Sequence, residues 1–365
     1  MRVFLKMLVV ALLVMTAGFT PAAPKAAAVQ EMTPAGLQSI GVLAFGPADV
    51  LFAADTLGAA IYALELGQAA KGGATGAKDV PSIDQKIAAL LGTGASAITV
   101  TDLAIHPTTR NAFIAVMRGQ GADAKPALIR VDGEGQLQAL ALDTLKSTKA
   151  ALPNAPAAST TGRRNPRSES ITDMSFVNGE LIVAGLSNEE FASKLRTVPY
   201  PFNVVEPGTS VEIYHGNHGQ LETRSPVYTF VPYEVAGTPH LIAGYLCTPL
   251  VKFPVASLTG AEKVVGTTIA ELGAGNRPID MLVYKKDGRE FLLLSNTNRG
   301  VMKIPTDGFA SAAPITSRIG GTAGVLFETI ATMAGVVQMD LLDAQRSIVI
   351  ARADGALNLQ SVALP

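Results

Sequence analysis

Four aspartates stand at equivalent places in four separate apolar segments of the chain. Asp102 occurs in ITVTDLAI, Asp173 in ITDMSFV, Asp280 in PIDMLV and Asp340 in VVQMDLL. Each one stands at the start of an alternating apolar segment, the pattern of a β-strand with one buried face. If the four strands are equivalent, the carboxylates lie close together, and they either raise one another's pKa or need a counter-charge.

Two kinds of chemistry fit four converging carboxylates. The first is binding of a hard cation such as Ca²⁺, which takes about six to eight oxygen ligands and could polarise a carbonyl or lower the pKa of a bound water. The second is structural, because an aspartate can accept backbone N–H groups from a neighbouring unit. Repetition in four units favours the structural interpretation, since a catalytic residue usually occurs once. Both interpretations stay open.

The segments around these aspartates repeat along the chain. An apolar run that ends in glycine precedes the aspartate three times, at 87–105, 269–283 and 330–342, and a partial copy begins at 171. Recurrence of one supersecondary unit is typical of solenoids and propellers. The chain also has 35 Gly and 22 Pro, as expected for short strands joined by tight turns. We therefore predict an all-β fold, a β-propeller of four-stranded blades.

Six such units account for the chain after residue 36. The second unit is the clearest, with four β segments over 100–142 that form the meander of one blade. The third unit turns at Asn178-Gly179, a dipeptide that favours a two-residue hairpin. We predict a single propeller domain over 29–365, with insertions at 143–169 and 186–208. Seven blades is the alternative, if one insertion contains a further unit.

Closure of the ring depends on two further segments. The Ala and Leu content of Lys86–Leu91 fits a short helix, but we favour an outer strand because the later copies of this run each precede the next aspartate segment. The sixth unit has only three β segments. We expect its fourth strand from the N-terminus, within 26–32, because a closed ring leaves no free sheet edge.

One end of the central channel is the expected place for a functional site. In a propeller the innermost strands start at the end to which the second strands return, so the aspartates share that mouth with the loops between second and third strands. Such loops usually carry the binding residues. The insertions would add Arg163, Arg164 and Arg167 as counter-charges. The candidate ligand or metal residues at this mouth are Asp102, Asp173, Asp280, Asp340, Arg118, Asn188, Asn296 and Arg299.

The histidines and the single cysteine are weaker candidates for a functional site. His215 and His218, in YHGNHG, have a spacing that can chelate Zn or Cu on a helix, but the glycines indicate a hairpin turn. We place that turn at the end opposite the aspartates. Cys247 falls at the aspartate end without a predicted histidine neighbour, so we expect a buried, unreactive thiol. A single cysteine excludes an intrachain disulfide, a CxxCH heme signature and Cys-rich zinc patterns.

Residues 1–28 have the features of a secretory signal peptide. Arg2 and Lys6 precede an apolar core at 7–19, and small residues follow as far as Ala28. We expect a periplasmic or secreted bacterial protein, monomeric and without a membrane span after cleavage. A net charge of −1 with 16% charged residues gives no attraction to nucleic acid.

The spacing of the units resembles the exported six-bladed β-propellers of bacteria, a superfamily with lactonase-like and binding members. This resemblance covers the mature chain and implies the fold and the usual place of a site. It disfavours a quinone-dependent oxidoreductase, since those propellers use Trp or paired Cys, and both are missing here. Two functions remain. One is a binding or scaffold protein that holds a ligand or partner at the mouth. The alternative is a divalent-metal-dependent hydrolase, lactonase-like or phosphoesterase-like, with Asp and Asn residues of the mouth binding the metal, Ca²⁺ being possible.

Overall fold

The protein folds as a six-bladed β-propeller. The computed structural model describes residues 36–71, 73–159, 165–247, 249–260 and 263–365. The signal peptide (1–28), the closing strand (26–32), Arg163 and Arg164 lie outside the described residues. Within them the strands form six sheets around a central channel, which confirms the all-β, six-bladed prediction. None of the described helices is long and apolar enough to cross a membrane.

We number the blades in the chain order of their innermost strands. Blade 1 consists of β1 (Leu43–Phe45), β2 (Val50–Asp55), β3 (Ala60–Glu65) and β8 (Lys146–Ala151). Blade 2 consists of β4 (Ile98–Ile105), β5 (Ala112–Arg118), β6 (Lys125–Val131) and β7 (Leu137–Ala139). Blade 3 consists of β9 (Asp173–Val177), β10 (Glu180–Leu186), β11 (Ser193–Pro199) and β12 (Thr209–His215), with β13 (Gln220–Glu222) and the two-residue β17 (Val264–Val265) outside β12.

The other three blades follow in the second half of the chain. Blade 4 consists of β14 (Thr229–Val235), β15 (Thr238–Gly244), β16 (Pro249–Pro254), β18 (Thr267–Leu272) and the outer β22 (Thr322–Gly324). Blade 5 consists of β19 (Pro278–Lys286), β20 (Arg289–Asn296), β21 (Gly300–Pro305) and β23 (Glu328–Thr329). Blade 6 consists of β24 (Val336–Leu341), β25 (Arg346–Ala353) and β26 (Ala356–Ala363). Two helices, α1 (Gln68–Lys71) and α2 (Ile83–Leu90), lie between β3 and β4.

The blades do not follow one another around the ring in chain order. The innermost strands contact one another in the order β1, β9, β14, β19, β24, β4 and back to β1. Blade 2 therefore lies between blade 6 and blade 1. The chain leaves blade 1 after β3, builds blade 2, and returns through β8 to add the fourth strand of blade 1. The ring thus closes where blade 2, from the N-terminal part of the chain, meets blade 6, from its C-terminal part.

Helix α2 packs where blade 2 meets blade 6. Our preference for a strand at 86–91 is wrong, because residues 83–90 form the helix that was the alternative. Ile83 and Ile87 are fully buried among apolar residues of both blades, and Leu91 joins the same cluster. Their spacing of four residues matches one face of a helix. β3 of blade 1 is already paired with β8, so residues 86–91 cannot add a strand beside β3.

The outer edge of blade 6 is paired by the chain just before α2. Val80 and Leu359 exchange backbone hydrogen bonds of 2.8 and 3.0 Å. Oδ1 of Asp79 also accepts a hydrogen bond from the N–H of Ser361, at 2.7 Å. Within the described residues, this segment covers the edge for which we predicted an N-terminal strand.

The two ranges that we predicted as insertions each contain a blade strand. β8 lies within 143–169, and five of its six residues are exposed, so its sequence lacks the alternation of a buried strand. β11 lies within 186–208 and is the third strand of blade 3. Its Lys194 and Arg196 are buried, which hides the strand from a pattern based on apolar residues. The hairpin before it is confirmed, since Asn178 and Gly179 both have the positive φ (53° and 87°) of a type I′ turn.

Candidate functional site

The four aspartates connect neighbouring blades. In each pair the aspartate Oδ2 accepts a backbone N–H of an adjacent innermost strand, at 2.6–2.7 Å. The connections run from blade 3 to blade 4, from blade 5 to blade 6, from blade 6 to blade 2 and from blade 2 to blade 1. The four pairs are Asp173 with Phe230, Asp280 with Met339, Asp340 with Ile105, and Asp102 with Leu43.

The second oxygen of these carboxylates is also used locally. Met174, Met281 and Leu341 each donate their N–H to Oδ1 of the preceding aspartate, at 2.7–2.8 Å. The backbone of Leu103 likewise bonds to Asp102. Backbone N–H groups therefore hold each carboxylate from its own strand and from the next blade. This is the structural role that the repetition favoured.

The aspartates do not gather into an oxygen cluster. Among the described residues, three metal-ligand atoms come within 4.8 Å of one another only at His215, His218 and Cys247. A Ca²⁺ ion needs several oxygens at about 2.3–2.6 Å from one point. No three of the four carboxylates converge in this way, so the arrangement favours connection of the blades over a shared cation.

Enclosure by the six blades raises the pKa of all four carboxyls. The pKa of Asp173 rises to about 7 and that of Asp340 to about 6, in both cases mainly through burial. For Asp102 and Asp280 burial again acts most strongly, and the charges of the other aspartates raise their pKa values further, well above the ordinary range. At neutral pH this layer therefore carries much less negative charge than four exposed carboxylates would.

Above the aspartate layer the channel opens into a cavity of about 990 Å³, which we call the mouth cavity. Its wall is formed by the starts of the innermost strands and by loops between second and third strands, as predicted for this end. Asp102, Asp173 and Asp280 form part of its floor. On the other side of the layer, a cavity of about 270 Å³ is lined by all four aspartates and by the later parts of the same strands.

The lining of the mouth cavity combines apolar side chains with several hydrogen-bonding groups. Two guanidinium groups, of Arg277 and Arg352, also line it, together with Glu169. Arg277 lies over the ring of Tyr228, 4.6 Å from the ring centre, and the Tyr228 hydroxyl donates a 2.6 Å hydrogen bond to Glu169. Arg277 therefore sits on an aromatic platform whose position is set by a carboxylate. The hydroxyl side chains of the lining include Ser39, Thr56, Thr99, Thr101, Thr172 and Thr229.

Asp340, which we also predicted at the mouth, lies near the end of β24 and lines the cavity of about 270 Å³ instead of the mouth cavity. The other four candidates from the sequence do not line the mouth cavity either. They were placed at the correct ends of their strands, but strand position does not decide whether a side chain turns toward the channel. Arg118 donates to the carbonyl of Leu91 at 3.1 Å, Asn188 is exposed, the Nδ2 of buried Asn296 donates to the carbonyl of Leu294 at 3.0 Å, and Arg299 lies 3.5 Å from the carbonyl of Ala274.

Sequence reasoning missed Arg277, Arg352, Tyr228 and Glu169. Arg277 and Tyr228 come directly before innermost strands, three residues before Asp280 and one before Thr229. A search of the residues that precede each repeated strand would have found these two. Arg352 and Glu169 have no such signal, because one ends a second strand and the other lies in a single 3₁₀ turn before β9.

The prediction that His215 and His218 lie at the end opposite the aspartates is wrong. Because β11 adds a strand to blade 3, β12 is the fourth strand, and it runs toward the mouth end instead of away from it. His215 and His218 therefore lie at the same end as Cys247, and the three side chains meet. The predicted hairpin is present, with His218 in the turn between β12 and β13. Cys247 is partly exposed, whereas we expected it to be buried.

Comparison with known proteins identifies no family. No family model and no curated relative matches the chain. Solved structures similar to it include Drosophila semaphorin 1b, extracellular domains 1–2 (10% identity, 92% of this chain and 88% of that one, TM-score 0.37). Another is the Cps50 (Swd1) β-propeller domain of Myceliophthora thermophila (12% identity, 89% and 97%, TM-score 0.37). A third is a putative oxidoreductase (glucose dehydrogenase) from Thermus thermophilus (13% identity, 91% and 99%, TM-score 0.38).

Proposed function

We propose that this protein binds a small, hydroxylated, anionic molecule in the mouth cavity. The observation that carries the proposal is the cavity of about 990 Å³ over the aspartate layer. Small-molecule sites commonly enclose about 300–1,000 Å³. With the signal peptide that residues 1–28 suggest, we place this binding in the periplasm or outside the cell.

The charges of the lining support an anionic ligand. Arg277 and Arg352 contribute two guanidinium groups, which offer only hydrogen-bond donors and so suit an anion. Burial raises the pKa of the floor aspartates, to about 7 for Asp173, so their repulsion of an anion is weakened. Arg277 can also form two parallel hydrogen bonds to a carboxylate while it stays stacked on Tyr228.

The hydroxyl groups and the rigid floor support a ligand that forms many hydrogen bonds. A Ser or Thr hydroxyl that already donates within the protein, as those of Thr101 and Thr172 do to backbone carbonyls, can still accept a hydrogen bond from a hydroxyl group of a ligand. The backbone bonds to Asp102, Asp173 and Asp280 hold the floor in place before the ligand arrives. A preorganised site loses less conformational entropy on binding.

The test is a thermal-shift screen with a blocked cavity. Small hydroxy-carboxylates (aldonates and uronates), neutral sugars and polyamines are added to the wild type, to Thr99→Trp and to Thr108→Trp. Thr99 is exposed and lines the mouth cavity, whereas Thr108 is exposed in the β4–β5 turn at the opposite end of the same strand. A ligand that binds only the folded state stabilises it by RT ln(1 + [L]/Kd), so Tm rises with the ligand concentration.

We expect hydroxy-carboxylates to raise the Tm of the wild type and of Thr108→Trp, and to leave Thr99→Trp unchanged. Arg277→Gln should need about tenfold more ligand for the same Tm shift, because one charge-assisted contact supplies about 1.4 kcal/mol. An equal shift in Thr99→Trp would place the ligand elsewhere. A shift with polyamines and none with carboxylates would contradict the assigned charge.

A further inference from the structure

A second cavity lies at the outer part of blade 3, against blade 4. It has a volume of about 560 Å³, and its lining includes His215, His218, Glu222, Tyr245 and Cys247. The residues come from two elements, the β12–β13 hairpin of blade 3 and the turn after β15 of blade 4. This cavity is separate from the mouth cavity, since the two have no lining residue in common.

Three potential metal ligands meet in this second cavity. One ring nitrogen of His215, one of His218 and the Sγ of Cys247 all lie within 4.8 Å of one another. The two imidazole rings are 4.0 Å apart between centroids. Cys247 is held in the left-handed region (φ 59°), which non-glycine residues rarely adopt, with its N–H bonded to the carbonyl of Asn276 at 2.8 Å. Unusual backbone of this kind concentrates at functional positions.

The buried ring of His215 has one nitrogen that nothing satisfies. His215 is only 2% exposed, and its Nε2 has no hydrogen-bond partner among the described residues. Oε2 of the fully buried Glu271 lies 4.0 Å from this nitrogen, which is too long for a hydrogen bond. Buried polar atoms are nearly always paired, so this orphan nitrogen indicates a missing partner.

Glu222 orients both imidazoles in the way that metal sites require. Its Oε2 lies 2.9 Å from Nδ1 of His215, and its Oε1 lies 2.5 Å from Nδ1 of His218. Both Nδ1 atoms therefore donate to this carboxylate, and both Nε2 lone pairs remain available. Metal-binding histidines almost always donate their other N–H to a carboxylate or carbonyl, which sets the tautomer and raises ligand basicity.

We propose that His215, His218 and Cys247 bind a divalent transition-metal ion of the zinc type, through one nitrogen of each imidazole and the Sγ atom. Two imidazoles and a thiolate suit Zn²⁺ and disfavour the hard cations Ca²⁺ and Mg²⁺, which take oxygen ligands. The thiol proton passes to solvent when the metal–sulfur bond forms. Three protein ligands leave a fourth tetrahedral position open to water or to a small ligand.

The test uses cobalt as a spectroscopic form of the metal. The purified full-length chain without its signal peptide is stripped with EDTA and titrated with Co²⁺ and with Zn²⁺, alongside Cys247→Ser, His218→Gln, Glu222→Gln and His240→Gln. His218 is a safe variant because half of its side chain (51%) is exposed, so its loss should not unfold the protein. His240 is the matched control, since its Nδ1 bonds to the carbonyl of Thr238 outside the cluster.

We expect one equivalent of Co²⁺ with a sulfur-to-cobalt charge-transfer band, displaced by one equivalent of Zn²⁺ and unaffected by Ca²⁺. The band should vanish in Cys247→Ser. Metal affinity should fall at least about tenfold in His218→Gln and by about 10–100-fold in Glu222→Gln. His240→Gln should match the wild type in both measurements. No charge-transfer band in the wild type, or equal zinc affinity in His218→Gln and wild type, would overturn the proposal. Neither result bears on the mouth cavity, whose residues are different.

Discussion

The Oδ2 atom of Asp340 in blade 6 accepts a hydrogen bond of 2.7 Å from the backbone N–H of Ile105 in blade 2. These residues are 235 positions apart in the sequence. The bond crosses the place where the last blade meets the second, which is where the ring closes. The repeated aspartate thus forms, at this junction, the same contact that it forms between other neighbouring blades.

Removal of this carboxylate should weaken the closed ring. In Asp340→Ala the N–H groups of Ile105 and Leu341 lose their acceptor. A buried donor left without a partner costs about 1–3 kcal/mol, so we expect the free energy of unfolding to fall by at least that amount. Urea denaturation measures it. Asp123→Ala, at an exposed aspartate of the β5–β6 loop, should change stability by less than about 0.5 kcal/mol; equal effects would show that Asp340 has no special role.

The raised pKa of Asp173 predicts a specific dependence of stability on pH. Its pKa is about 7 in the folded protein against an ordinary value of 3.8, mainly because of burial. Between these values the folded state keeps a proton that the unfolded state has released, so the contribution of this group is complete below about pH 4 and is lost as the pH rises through 7. Asp173→Asn cannot titrate. Its stability relative to wild type should therefore increase between pH 4 and pH 8, by at least about 1 kcal/mol; a difference that stays constant in urea titrations over this range would contradict the raised pKa.

Helix α2 should contribute to closure through its buried face. Ile87→Ala removes a fully buried side chain that packs between blades 2 and 6, and such changes cost about 2–5 kcal/mol. Leu90→Ala in the same helix removes a side chain that is 37% exposed, and we expect a loss below about 1.5 kcal/mol. Thermal and urea unfolding of the two variants provide the comparison. A similar loss in both would contradict a special role for the buried face of the helix, because Ala raises helix propensity at either position.

The buried guanidinium of Arg196 should be a source of instability. Arg196 is 1% exposed, and none of its three side-chain nitrogens has a partner among the described residues. Burial lowers its pKa to about 10, and the charge of Glu189 offsets this in part. Replacement of poorly paired buried charges by apolar side chains often stabilises a protein by about 1–4 kcal/mol, so we expect a higher Tm for Arg196→Met. Arg196→Lys, which keeps the charge, should show no gain; a lower Tm for Arg196→Met would reveal an anionic partner at this place.

Much of the fold follows from local patterns. Alternating apolar residues after each aspartate indicate innermost strands, and Asn178-Gly179 indicates a hairpin, because the two-residue period of a strand and the positive φ of a turn are properties of neighbouring residues. β11 shows where this reasoning fails. Its buried Lys194 and Arg196 break the apolar pattern, and since each strand reverses the direction of the chain, one missed strand moves every later loop of that blade to the opposite face.

Only part of the mouth cavity could be predicted, because only some of its residues are marked by a local pattern. The sequence placed Asp102, Asp173 and Asp280 at the mouth, because their position in the repeat is local. It did not indicate that Arg277 and Arg352 would join them in one cavity. Cavities are formed by side chains of several blades, and their inward or outward direction depends on packing between segments that are distant in the chain.

By itself the sequence determined an all-β chain of six repeated units, with an aspartate in four of the innermost strands. Only the tertiary structure decided the ring order, in which blade 2 lies between blades 6 and 1, the role of α2 at that junction, and the meeting of His215 and His218 with Cys247. The physical reason is the range of the interactions. Strand and turn preferences act between residues a few positions apart, whereas closure of the ring and convergence of ligands come from contacts between separate blades, which no local pattern encodes.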